Sequence, residues 1–208
     1  MKICVLGTDD RMKYLAELLR DEHEIVTEDA ELYLLPPQAK KPADLKALGG
    51  EDYRKCADFV CGNAELTAEG AIWLLMENSR EALSGKSALV LGFGRIGKLL
   101  SQKLAALNVK VSVMSKTAES LALAKAMGYG AVSPDAALSS FDFIINTAPE
   151  KIAKSFDSAK EGCLLLELAS APGGFGEVPH INGGGLPGRY APLSAAELIK
   201  NAVEDYLK

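Results

Sequence analysis

The sequence predicts an α/β fold, a doubly wound parallel sheet with a small N-terminal α/β domain. Three observations predict it. Short apolar runs alternate with segments of helical periodicity, which implies a parallel sheet covered on both faces. A glycine-rich turn joins one apolar run directly to a helix start. The 208 residues, 48% apolar and 25% charged, are ordinary globular composition and suffice for one sizeable domain with a small companion.

Taken in order, Ile3–Leu6 reads as a short strand. Thr8 is placed to cap a helix from Asp9 to Arg20, whose Met12, Leu15, Ala16 and Leu19 fall at helical spacing. Leu32–Leu35 is a second strand, stopped by Pro36-Pro37. Residues 36–55 read as a loop with one helical turn near Leu45 and a break at Gly49-Gly50. A long helix is expected from Thr67 to Leu83, with an apolar stripe broad enough for burial between two layers. Strands follow at Ser87–Leu91, Lys110–Met114, Ala131-Val132, Phe143–Asn146, Cys163–Leu168 and His180–Asn182. Helices are expected at Arg95–Leu107, Thr117–Met127 and Pro149–Phe156. A last helix starts at Ser194, where Ser194 and Glu197 form a capping box. The domain expectation is 1–66, completed by the helix 194–208, beside a nucleotide-binding domain at 67–193.

The net charge of −5 and the lack of any basic cluster argue against nucleic acid and anionic membrane as partners. The N-terminal apolar run is too short for a signal peptide, and no stretch approaches a membrane span. A cytoplasmic protein is expected. Cys4 and Cys163 read as small buried hydrophobes, and Cys56 and Cys61 lack the partners of a zinc site.

The chemistry-bearing motif is Gly92-Phe93-Gly94-Arg95-Ile96-Gly97. Ala88–Leu91 leads straight into it, and a helix with Ile96, Leu99, Leu100 and Leu104 begins within it. Gly92 permits the turn, Gly94 admits a pyrophosphate, and Gly97 lets helix and strand pack closely. The exposed N–H groups and the helix dipole favour phosphate. This is the fingerprint of a Rossmann-type nicotinamide dinucleotide site. An NAD site usually has an acid at the end of the next strand. Here Ser115-Lys116-Thr117 stands in its place, and the first acid, Glu119, is already inside the next helix. A cation and two hydroxyls suit a 2′-phosphate, so NADP is the expected cofactor, with NAD possible. Thr147, Ala148 and Pro149 after one strand, and Ala169-Ser170 after the next, are placed to border the nicotinamide.

From Asp58 onward the sequence resembles the family of the dipicolinate synthase A-subunits. The resemblance is carried by Asp58-Phe59 with Asn63, Thr67–Ile72, the glycine loop, Ile145–Pro149, Leu168-Ala169-Ser170-Ala171-Pro172-Gly173-Gly174, and Gly185-Leu186-Pro187-Gly188-Arg189-Tyr190-Ala191-Pro192. Gly7-Thr8-Asp9-Asp10-Arg11 also looks like the family's opening motif. Several tens of residues are missing between Leu35 and Asp58 relative to the family, giving a shortened N-terminal domain. Glu167 and Ala171 stand where the family tends to have an Asp and a basic residue.

The resemblance implies an architecture like that of the D-2-hydroxyacid dehydrogenases, in which the helices at 67–83 and 194–207 bridge two domains. It implies oxidation of a dihydrodipicolinate-type intermediate to pyridine-2,6-dicarboxylate during spore formation, with a flavoprotein-like B-subunit as partner. A small dicarboxylate substrate calls for arginines, and Arg11 and Arg189 are the candidates. Glu69 is the candidate general base, read as lying in the first turn of its helix. A homo-oligomer is expected from the broad apolar helix at 67–83 and the small N-terminal unit. Two other readings remain open: a D-2-hydroxyacid dehydrogenase-like oxidoreductase, and a non-catalytic NAD(P)-binding sensor or partner subunit. His23 and His180 are the only histidines, and neither makes an obvious acid–base pair.

Overall fold

A computed structural model describes all 208 residues. The chain forms two compact units, Met1–Leu66 with Leu186–Lys208, and Thr67–Gly185.

The first unit is built on a four-stranded parallel sheet. Its strands are β1 (Lys2–Val5), β2 (Glu24–Ile25), β3 (Leu32–Leu34) and β4 (Ala47–Leu48), in the order β2-β1-β3-β4. Helix α1 (Asp10–Leu19) buries Met12, Leu15 and Leu19, the apolar residues its spacing singled out. Its cap is Asp9 rather than Thr8: the carboxylate accepts the Met12 N–H. A charged acceptor at the positive end of the helix dipole is the stronger cap.

Residues 36–55 are more ordered than a loop. The strand β4 pairs with Tyr33 and Leu34, too short a strand for alternation to reveal. The helical turn lies at α2 (Gly50–Tyr53), not near Leu45. Gly49 opens it, and Asp52 reaches back to accept the Gly49 N–H. Tyr53 is fully buried, with its hydroxyl 3.0 Å from Leu35 O and 3.1 Å from Leu48 O.

Helix α3 (Ala57–Asn78) begins ten residues before the expected Thr67 and ends before Leu83. Asp58, Cys61, Asn63 and Glu65 dilute the apolar stripe of its first turns, which hid them from periodicity. At the other end Asn78 donates to Leu74 O, and Leu83 is buried outside the helix. The C-terminal segment forms α6 (Leu186–Tyr190) and α7 (Pro192–Leu207). Helix α7 starts two residues before the expected Ser194. Pro192 takes its first position, Ala191 is the cap, and the Ser194–Glu197 box is not used. Its Ala196, Ile199, Ala202 and Val203 join Ile3, Leu15 and Leu34 in the core of this unit.

The second unit holds a six-stranded, wholly parallel sheet. The strands are β5 (Ser87–Leu91), β6 (Lys110–Met114), β7 (Gly130–Val132), β8 (Phe143–Asn146), β9 (Leu164–Glu167) and β10 (Ile181–Asn182), in the order β10-β9-β8-β5-β6-β7. Helix α4 (Arg95–Ala106) crosses from β5 to β6, and α5 (Ala118–Ala126) from β6 to β7. The chain winds outward from β5 to β7, returns to β8 on the other side of β5, and winds outward again. That reversal is the switch point of a doubly wound sheet, where ligands bind beyond the carboxyl ends of the strands. Leu89, Val90, Leu91, Ile144 and Ile145 are fully buried, as strands covered on both faces require.

The helix expected at Pro149–Phe156 does not form. Ile152, Ala153 and Phe156 still bury their side chains in the core around Phe175. The crossover is held instead by contacts outside a helical ladder: Lys154 N–H reaches Pro134 O, Asp157 N–H reaches Ser155 Oγ, and Ser158 Oγ accepts the Leu138 N–H. No helix is long and apolar enough to cross a membrane.

Candidate dinucleotide site

The carboxyl ends of β5, β6, β8 and β9 carry the glycine loop, Ser115–Thr117, Thr147–Pro149 and Ala169-Ser170, so the second unit brings all the residues expected to hold a cofactor to one edge of one sheet. Gly92 turns the chain at φ 91°, a conformation that side chains other than glycine rarely adopt. Gly94 caps α4 without a side-chain bond, and a Cβ there would meet nothing within 4 Å. A Cβ on Gly97 would stand 2.4 Å from Gly92 O, so helix and loop touch at van der Waals distance only because it is absent. Helix geometry leaves the N–H groups of Arg95, Ile96 and Gly97 without intrahelical acceptors. Open space over Gly94 and unclaimed donors at a helix start together fit a pyrophosphate.

The side chain of Phe93 turns away into the interior. Its ring is buried, edge-on to Tyr129 at 6.1 Å, with Lys98 Nζ over it. At the end of β6, Ser115 is buried, and its hydroxyl lies 3.4 Å from the Thr117 N–H. Thr117 caps α5 by accepting the Ser120 N–H. Lys116 is exposed and pairs with Glu150 at 2.7 Å.

Thr147 spends its hydroxyl on Leu91 O at 2.9 Å, tying the loop after β8 to the end of β5. Behind that loop is an arrangement that the motifs did not single out. Asn146 and Glu167 end adjacent strands in paired register, and both are buried. Asn146 Nδ2 donates to Glu167 Oε1 and to Ala148 O, each at 2.7 Å. Glu167 also accepts the N–H groups of Ala169, Gly174 and Phe175. One buried carboxylate thus gathers four donors and fixes both loops expected to border the nicotinamide. Gly173 and Gly174 make room for it: a Cβ on either would come within 2.7 Å of the Glu167 carboxylate or the Asn146 amide. The available signal was a polar residue at or next to the last position of two apolar strands.

The residues nominated for chemistry are Glu69, Arg11 and Arg189. Glu69 lies in the middle of α3, not in a first turn, and pairs with Lys103 at 3.0 Å. The helix start is earlier than expected, so the dipole argument for this carboxylate falls away. Arg11 and Arg189 belong to the first unit. Arg11 is buried: Nη2 lies 2.9 Å from Asp9 and 3.0 Å from Gln38 Oε1. Burial works to raise the Asp9 carboxyl, but the Arg11 guanidinium and the Met12 N–H outweigh it and hold the group below the ordinary range. Arg189 is exposed on α6, whose Gly188 lies directly against the Arg11 guanidinium. His180 stacks on Phe175, with Nδ1 at Val178 O. Cys163 lies just before β9, its thiol pushed up to about 11 by burial.

The family of the D-isomer specific 2-hydroxyacid dehydrogenase NAD binding domain matches residues 56–159. The chain belongs to this family. Those residues include the glycine loop, the Ser115–Thr117 turn and the Thr147–Pro149 loop, and the family supports a nicotinamide cofactor. Within the 2-hydroxyacid dehydrogenase-like proteins, the chain is similar to the A-subunit of dipicolinate synthase from Bacillus subtilis, 31% identical over 162 residues. That match covers 72% of this chain and 54% of the relative, so it spans about half the length of the relative. The crystal structure of the same A-subunit from Bacillus subtilis superposes with a TM-score of 0.80 at 21% identity, covering 100% of this chain and 95% of that one. The A-subunit of dipicolinate synthase from Bacillus halodurans gives 0.84 at 18% identity, covering 99% and 97%. These two likenesses establish the fold.

Proposed function

We propose that this chain is an oxidoreductase like the dipicolinate synthase A-subunits, oxidising a dihydrodipicolinate-type intermediate to pyridine-2,6-dicarboxylate, with NADP preferred over NAD. The observation that carries the reading is the loop pair fixed by Asn146 and Glu167, which presents the Leu168–Gly174 motif beside a complete glycine cradle. A nicotinamide held by the glycine loop would supply the hydride acceptor; a substrate ring that gave up that hydride, and one proton to solvent, would become aromatic, which supplies much of the driving force. The chain's share is then positioning and charge complementarity to two carboxylates. Arg189 and Arg11 are the proposed carboxylate contacts and Glu69 the proposed base; Arg11 is held by Asp9 and Gln38, Glu69 by Lys103, and Arg189 too has a partner within the chain. Lys116, with no acid at the end of β6, supports the NADP preference.

The same reading includes a flavoprotein-like B-subunit as partner, a role in spore formation and a homo-oligomer. Met76 and Leu107, 61% and 43% exposed beside Leu83, give a second copy an apolar surface to cover. Light scattering at tens of micromolar checks the mass, and a monomer counts against that part.

The deciding experiment mixes the protein with the dihydro substrate and either cofactor, with and without the partner, and follows the absorbance of reduced nicotinamide. Reduction coupled to formation of the aromatic dicarboxylate is expected. Tight cofactor binding with no turnover under any of these conditions would replace the enzyme by a nucleotide-binding sensor. Arg189→Ala is expected to raise KM for the dicarboxylate more than it lowers kcat.

A further inference from the structure

Strand β5 lies between β6 and β8, so the turns that follow β6 and β8 stand on either side of the glycine loop. Neighbouring strands are roughly 5 Å apart, which puts those two turns roughly 10 Å apart at their roots. Lys116, two residues beyond β6, and Glu150, four beyond β8, nonetheless meet at 2.7 Å. Their ion pair therefore spans the mouth of the glycine loop.

The two partners are not equally held. Glu150 follows an anchored turn. Thr147 is bonded to Leu91 O, Ala148 is tied to the Asn146 amide at both its N–H and its carbonyl, and Pro149 restricts the backbone just before Glu150. Lys116 ends a flexible four-carbon stem. Both side chains reach solvent, at 48% and 62% exposure, so the pair is weak and exchangeable.

We propose that Glu150 is a specificity-determining residue that competes with the cofactor's 2′-phosphate for Lys116. This rests on the reading above that Lys116 receives that phosphate. Without nucleotide, Lys116 is tied to Glu150. A 2′-phosphate carrying nearly two negative charges must draw the ammonium away and then lies near the abandoned carboxylate. Glu150 opposes NADP twice, by holding the lysine and by repelling the phosphate. The uncharged ribose diol of NAD does neither. The chain thus contains a device that narrows its own preference for NADP.

The test is calorimetric titration of the full chain with NADP⁺, NAD⁺, 2′,5′-ADP and 5′-AMP, for the wild type, Glu150→Gln, Lys116→Ala and the double variant. Glu150→Gln is expected to tighten NADP⁺ and 2′,5′-ADP by about two- to fivefold and to leave NAD⁺ and 5′-AMP unchanged. The gain should shrink at high salt and in the Lys116→Ala background. If Lys116→Ala weakens NADP⁺ while Glu150→Gln changes nothing, the competition is overturned and the NADP reading stands. If Lys116→Ala leaves the NADP⁺/NAD⁺ ratio unchanged, the NADP reading itself fails and takes the competition with it. If Glu150→Gln weakens NAD⁺, Glu150 holds the ribose diol and the proposal is wrong. Both positions are exposed, so unchanged melting temperatures are expected and serve as the folding control.

Discussion

Gly94 and Gly97 stand three residues apart and have opposite tolerances. A side chain at Gly94 enters open space, and its φ of −76° suits any residue. Aspartate there would even cap α4, by a few tenths of a kcal/mol over glycine. Yet its carboxylate would occupy and repel the pyrophosphate's place. Gly94→Asp is expected to abolish dinucleotide binding while the melting temperature holds or rises slightly. Unchanged affinity by calorimetry would contradict it. At Gly97 the obstacle is a backbone oxygen that cannot step aside, so Gly97→Ala is expected to cost about 1–3 kcal/mol of stability. Glu167 is the third informative residue. Glu167→Ala would leave the Asn146 amide with Ala148 O alone and take the acceptor from three backbone N–H groups, at a cost of about 2–4 kcal/mol by denaturant titration. The glycines were legible in the sequence because their spacing is the signal. Glu167 was legible only as a departure from the family's usual acid, because its role as a buried acceptor becomes intelligible only once the loop that wraps it is seen.

Among elements, β5, β6 and β8 coincide with the strands read from the sequence, since each is a compact apolar run with a clear stop. Legibility failed where burial and periodicity part company. The crossover after β8 has apolar residues at near-helical spacing but no helix, and the first turns of α3 are helical with no clean stripe. The pair β4 and α2 was too short to show a period at all. It is nonetheless firmly set: a Cβ on Gly50 would fall 1.8 Å from Pro37 O. Alanine favours helix over glycine by up to about 1 kcal/mol, but a backbone collision at that distance outweighs it. Gly50→Ala should therefore destabilise the protein, and a raised denaturation midpoint would refute this. At the opposite end of the second unit's sheet, Asp142 joins the starts of β5 and β8. Burial works to raise its carboxyl, but Lys160 and the N–H and hydroxyl of Ser87 outweigh it and hold it at about 2. Its unfolded value is near 4. The stability it contributes is thus complete above about pH 4 and is lost as pH falls toward 2. Asp142→Asn should flatten the pH dependence of unfolding in that window.

For the whole molecule, cofactor binding and folding are linked. A ligand that binds only the folded chain adds about 2.7 kcal/mol at a hundredfold excess over Kd. Thermal melts with increasing NADP⁺ should shift upward, and Gly94→Asp should abolish the shift without lowering the ligand-free midpoint.

Both sheets also end in stubs. The outermost strands β2, β4 and β10 have two residues each and β7 has three, while the longest apolar strands, β5 and β6, lie inside. An unpaired strand edge is a template for another chain, and its danger grows with its length. Here no edge offers more than a few donors and acceptors in a row. A chain this rich in valine, leucine and isoleucine strands therefore gives a neighbour almost nothing to zip onto, which guards it against fibrous aggregation while folded.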